Sequence, residues 1–132
     1  MMLGAAVQLM QSWSTYMPGT RVQSKPEADA FLSSHTGKTV FFFVFMQGCP
    51  KCKVSWHNYA DAAAQLQKDF PGKYDFMHAE AREFPWIKKV YNIKMVPAFL
   101  VFRGGKQVYS EEHIEFATKD VAYKWLIEKA AK

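Results

Sequence analysis

Apolar residues recur along this chain in two rhythms, and the changes from one to the other mark out its elements. Met2, Ala6, Leu9, Met10, Trp13 and Met17 fall at helical spacing, so the first residues read as an amphipathic helix stopped by Pro18 and Gly19. Ser24 and Glu27 form a Ser-x-x-Glu capping box with Pro26 in the first turn. The box satisfies backbone donors that a helix start leaves orphaned, and it announces a helix through about Ser34 that Gly37 ends. From Thr39 to Met46 β-branched and aromatic residues follow one another without alternation, as in a central strand covered on both faces. Cys52, Trp56, Tyr59, Ala63, Leu66 and Phe70 then stand at i, i+4, i+7, i+11, i+14 and i+18. They make one stripe of a helix that ends at Pro71 and Gly72, with Cys52 on its buried side.

Tyr74 to Ala79 reads as a second strand, and Pro85 opens a short helix through about Tyr91 that Asn92 can end. Phe84 and Trp86 beside that proline either turn inward or add exposed apolar contact. Strand, helix, strand, helix in this order is a crossover unit with parallel strands. Ala98 to Phe102 and Gln107 to Ser110 flank Arg103-Gly104-Gly105-Lys106, whose glycines supply the positive φ of a tight hairpin, so the last two strands are antiparallel. Thr118 is placed to cap a final helix that carries Val121, Ala122, Trp125, Leu126 and Ile127 towards the sheet. The chain divides into an N-terminal amphipathic extension over 1–23 and one α/β domain over 24–132. The apolar face of the extension has three readings: it packs on its own domain, docks a partner, or serves in targeting.

Composition narrows the function classes. At 132 residues and 49% hydrophobic the chain can bury one sizeable core and has little room for a second. The net charge of +5 arises from 17 basic against 12 acidic residues, but the basic ones are scattered singly. That distribution argues against nucleic-acid or membrane-surface binding and leaves a mild preference for acidic partners. The longest apolar run, Val40 to Met46, is far short of the roughly 20 residues that span a bilayer. The first 24 residues hold no acid and one Arg and lack the layout of a secretory signal, which suggests an intracellular setting, mitochondrial or cytoplasmic.

The chemistry lies in the two cysteines, Cys49 and Cys52, spaced Cys-x-x-Cys between the buried strand and its helix. Two cysteines are too few for a disulfide scaffold, and this spacing is that of a redox dithiol. At a helix start, with Lys51 and Lys53 near, Cys49 would be favoured as thiolate and is the candidate nucleophile. Cys52, one turn further in, is then the resolving thiol that displaces product and closes the internal bridge. Pro50 shapes the first turn without costing a helix hydrogen bond. A zinc site needs two further ligands; no second pair exists, and His35, His57, His78 and His113 are dispersed, so neither a metal nor another cofactor is expected.

At this point the chain resembles the thioredoxin family from about Ser24 to its C-terminus. Gly48-Cys49-Pro50-Lys51-Cys52 after a buried strand, Met95-Val96-Pro97-Ala98 before the next, and Phe102-Arg103-Gly104-Gly105-Lys106 at a hairpin occur in that family's order. The resemblance implies a thioredoxin-like fold, with a mixed sheet of four or five strands and helices on both faces. It implies that Pro97 is the family's cis-proline, and that Gly48, Pro50, Lys51, Val96 and Pro97 line the substrate surface. Three features depart from the family pattern. Gly48 replaces the usual Trp before the first cysteine. Phe43, six residues before Cys49, stands where thioredoxins carry a buried acid, leaving His78 in the neighbouring strand as the candidate proton acceptor. Glu111-Glu112-His113-Ile114-Glu115 replaces a glycine-containing loop of the substrate surface. Cys-Pro-x-Cys is similar to glutaredoxins, but the glutathione-binding features of those proteins are missing.

Two functions follow as expectations. One is thiol-disulfide exchange with a protein disulfide, as a reductase or redox relay. The other is a thioredoxin-fold accessory subunit of a larger, mitochondrial assembly, with the N-terminal helix as a candidate docking element for a protein partner and little turnover.

Overall fold

The computed structural model of the chain describes residue 17 and residues 19–131. The helix read over Met2 to Met17, and with it any docking role, lies outside the described residues except for Met17, which is buried against the core. Five strands form one mixed sheet: β1 (Thr20–Arg21), β2 (Thr39–Phe45), β3 (Tyr74–Glu80), β4 (Ala98–Arg103) and β5 (Lys106–Glu112), in the order β1-β3-β2-β4-β5. β1 and β2 run parallel to β3, while β4 and β5 are antiparallel to their neighbours. Helices α1 (Lys25–Ser34), α2 (Pro50–Asp69), α3 (Trp86–Val90) and α4 (Lys119–Ala130) flank it.

The unbroken apolar run of β2 is explained by its central place. Phe41, Phe43 and Phe45 face the layer built by α2 and α4, whereas Val40, Phe42 and Val44 face the layer of Leu32, Ile87 and Tyr91 on the other side. A strand buried on both faces has no polar positions to alternate. The caps stand where the sequence places them: Ser24 accepts from the Glu27 N–H, Thr118 accepts from the Val121 N–H, and Glu27 reaches back to the Gln23 N–H at 2.8 Å. Gly104 and Gly105, at φ 63° and 79°, turn the β4–β5 hairpin.

Two expectations need correction. In α4 only Ala122, Trp125 and Leu126 are buried; Val121 and Ile127 are 50% and 38% exposed. Residues spaced i, i+3 and i+4 share one helix face, and Val121 and Ile127 lie about 100° outside it. β1, for which the sequence shows no pattern, is a strand on the N-terminal side of residue 24. Its Thr20 and Arg21 pair with Met77 and His78. Gly19 makes this possible, since its φ is +88° and a Cβ there would collide with the Phe76 carbonyl.

The loop after β5 is held to α2 by buried polar contacts. Ser55 is fully buried; its hydroxyl accepts from the Phe116 N–H at 2.9 Å and donates to the Ile114 carbonyl at 3.4 Å. Ser55→Ala would orphan both groups, and we expect a loss of about 1–2 kcal/mol, read as a lower urea midpoint at unchanged denaturant slope.

Candidate functional site

The C-terminal ends of β2 and β3 and the N-terminus of α2 meet at one end of the sheet, where crossover folds expose backbone groups to a ligand. Cys49 is the N-cap of α2. Its Sγ lies 3.2 Å from the Cys52 N–H, taking the hydrogen bond that Ser or Thr takes in an ordinary cap. The same sulfur lies 3.8 Å from the Val96 carbonyl, and Cys49 is half-buried. Pro50 occupies the first helical turn, where its missing N–H costs nothing. Gly48, at φ +84°, turns the chain from β2 into the helix.

Cys52 is fully buried. Burial pushes its thiol well above the usual range, and the hydrogen bond with Cys49 adds to this. A hydrogen bond with the Met46 backbone acts the other way, while the charges of Cys49 and Glu80 raise it further. The two cysteines therefore sit in different settings, one reachable and one enclosed, a turn apart on the same helix. Both are free thiols in this structure.

A second wall faces them. The Val96–Pro97 peptide is cis, and the Pro97 carbonyl accepts from the His113 N–H at 2.7 Å. His113 has φ +61°, and its own carbonyl accepts from the Lys51 ammonium at 3.4 Å. One carboxylate oxygen of Glu112 accepts from the N–H groups of Lys94 and Met95, both at 2.7 Å. The end of β5, at Glu112, and His113 just after it thus clamp the proline loop from behind and reach the helix that bears the cysteines. Gly48, Cys49, Pro50, Lys51, Cys52, Val96 and Pro97 come together here. Gly48, Pro50 and Met95 are exposed, the last by 48%.

His78 lies deeper on the same sheet face as Cys52, opposite Phe43 in register. It is 2% exposed, and neither ring nitrogen has a hydrogen-bond partner among the described residues. Burial, with the nearby Arg21 charge, lowers its pKa from 6.5 to about 4. Phe43 itself is enclosed by Phe45, Tyr59 and Phe99 at ring distances of 4.7 to 5.2 Å.

Sequence reasoning passed over Glu80, and it noted Glu112 only as part of the segment Glu111–Glu115, without a role of its own. Glu80 ends β3, is 3% exposed, and accepts from the N–H groups of Gln47 at 2.9 Å and Arg82 at 2.6 Å. The signal for it was available: Phe76, His78 and Glu80 alternate on one face of a strand. Nothing local marked Glu112, because its partners are backbone donors 17 and 18 residues away. Among the described residues no three His, Cys, Asp or Glu side chains come together as a metal site, and no helix is long and apolar enough to cross a membrane.

No protein-family model matches the chain. In sequence it is similar to monothiol glutaredoxin-S17 of Arabidopsis thaliana, at 34% identity over an alignment of 68 residues that covers 46% of this chain. The chain spans 14% of that relative's length. In structure it is similar to the oxidised thioredoxin of Plasmodium falciparum, with TM-score 0.63 and 26% identity, covering 86% of this chain and 99% of the other. It is similar also to Fasciola hepatica thioredoxin, with TM-score 0.65 and 17% identity over 85% and 96% of the two chains.

Proposed function

We propose that this chain, which has a thioredoxin-like fold with its Cys49–Cys52 pair at a helix N-terminus, exchanges thiols and disulfides with a protein or peptide substrate. The observation that carries the reading is the asymmetry of the pair. Cys49 caps the helix and is reachable from outside, while Cys52 is wholly enclosed one turn behind it.

The chemistry follows in two steps. The Cys49 sulfur attacks one sulfur of a substrate disulfide, forms a mixed disulfide and expels the other as a thiolate. The Cys52 sulfur then attacks Cys49, closes the internal bridge and releases the second substrate thiol. The substrate gains two electrons and the pair loses them. Val96, Pro97, Gly48, Pro50 and Lys51 line the place where the substrate backbone would lie. Met95 and Pro50 offer it apolar contact, and Lys51 offers a positive charge.

The alternative, an accessory subunit of a larger assembly, draws support from Phe43, which leaves the centre of the sheet without the acid that thioredoxins keep there. One experiment separates the two. Insulin reduction with dithiothreitol should proceed faster with the protein than without, should fall to the uncatalysed rate in Cys49→Ser, and in Cys52→Ser should leave a mixed disulfide visible by mass. A wild-type protein that leaves insulin at the background rate would sink the exchange reading and favour the subunit.

A further inference from the structure

Closing the internal bridge requires Cys52 to lose its proton inside the protein, and burial holds that proton on. Phe43 is apolar and enclosed by aromatic rings, so the step needs a proton acceptor from another strand. Glu80 stands at the end of β3 beside the last residue of β2, Phe45, and on the same sheet face as Cys52. Its carboxylate holds the Gln47 N–H at 2.9 Å, while the Cys52 thiol is hydrogen-bonded to the backbone of the preceding residue, Met46. Acid and thiol therefore grip adjacent groups of one short turn, the turn whose Met46 carbonyl also accepts from the Cys49 N–H at 3.2 Å.

We infer that the Glu80 carboxylate takes the Cys52 proton as the internal disulfide forms, in the role that the apolar Phe43 leaves empty. This deepens the exchange reading and rests on it. The two backbone donors that fix Glu80, from Gln47 and Arg82, occupy two of about four lone-pair sites on a carboxylate, so acceptor capacity remains. The Glu80 charge is felt at the Cys52 thiol. Other titratable or charged groups on the surrounding elements include Cys49, Lys51, Lys53 and Tyr59 on α2, His78 on β3, and Arg82 after it. Arg21 on β1 is ion-paired with Glu83 at 2.9 Å. His78 stands two residues back along β3, opposite Phe43 rather than Phe45, and neither of its ring nitrogens has a partner among the described residues that would link it to the turn. In the step itself the Cys52 S–H proton passes to Glu80, the new thiolate forms the Cys52–Cys49 bond, and the bond from Cys49 to the substrate sulfur breaks. The electron pair leaves with the substrate thiolate, which can then be protonated.

Rapid mixing with Ellman's reagent resolves the two events, because attack by Cys49 releases a first thionitrobenzoate in proportion to reagent and closure by Cys52 releases a second independently of it. In Glu80→Gln the first release should stay within about twofold, while the second slows about 10²-fold at neutral pH, the scale of a lost general base. Glu80→Asp should recover part of the second rate. A second release that is unchanged or faster overturns the inference, since removing a nearby charge alone would ease Cys52 ionisation; so does equal slowing of both releases, which would make Glu80 only a tie for the loop. The wild-type protein gives a test that needs no variant. Its second release should change by less than about tenfold from about pH 6 to 8, whereas closure limited by free thiolate climbs about tenfold per pH unit and would overturn it. The readout needs no natural client, so a protein inert towards insulin with an intact second release would count against the exchange reading and not against Glu80.

Discussion

Phe43→Ala should lower the free energy of unfolding by about 3–5 kcal/mol, the cost of emptying a large aromatic site in a closed core. Phe43 is fully buried at the middle of the central strand, with His78 beside it on β3 and Phe99 on β4. Its ring stacks on Phe99 at 4.7 Å and 6°, and meets Tyr59 at 5.1 Å and Phe45 at 5.2 Å. Aromatic pairs of this kind contribute about 0.5–1.5 kcal/mol beyond the area they bury. A strand hydrogen-bonded on both sides cannot move in to fill the space, so the cavity should persist. Against a usual total of about 5–15 kcal/mol, the loss would leave the protein marginal. Urea unfolding of the two proteins checks this: the midpoint should fall with no change of slope, and a loss below about 1 kcal/mol would show that the layer collapses around the gap.

The same residue shows what the sequence could and could not disclose. The run from Thr39 to Phe45 was legible as a doubly covered strand because β-branched and aromatic residues follow one another there with no polar alternation, as a central strand requires. The α2 stripe, the capping residues and the glycine hairpin were legible because each is a local pattern with one physical solution. β1 was not, for it is two residues long and exists only because β3 offers an unpaired edge. The outward turn of Val121 and Ile127 was missed for a different reason: apolar character alone does not say which residues of a crowded helix fall on the buried arc.

At the site, the cysteine pair could be read from its spacing and the Val96–Pro97 loop from resemblance, although Val96 meets Cys49 from 47 residues away in sequence. What could not be read is how that loop is held. Glu112 and His113 act on backbone groups of Lys94, Met95 and Pro97, and such bonds carry no signature in residue type. The last residue of β5 and the one after it, Glu112 and His113, are thus the brace of the second wall. A polar residue in a buried strand is legible as an exception, but which of His78 and Glu80 stands nearer the turn before α2 depends on which end of β3 reaches it.

His78 supplies the other large expectation, a loss of about 2 kcal/mol of stability between about pH 7.5 and pH 5 from this one group. The unfolded chain takes a proton at His78 near its ordinary pKa of 6.5, but the folded chain takes it only near about 4, because burial first and the Arg21 charge second disfavour the cation. Between those values the unfolded state binds more protons than the folded one, so stability falls as pH falls. Above about 6.5 both states are neutral there and the contribution is flat; below about 4 the full gap, about 3 kcal/mol at about 1.36 kcal/mol per pH unit, has been lost. Urea melts across this range, compared with those of His78→Leu, isolate the group from the carboxylates that titrate beneath it. The variant should be no less stable at pH 7.5, since the two ring nitrogens it removes have no partner among the described residues, and its curve should lie above the wild type by a margin that widens towards pH 5. Parallel curves would mean that His78 meets the proton as easily folded as unfolded, and that the face beneath Cys52 is wetter than its 2% exposure implies.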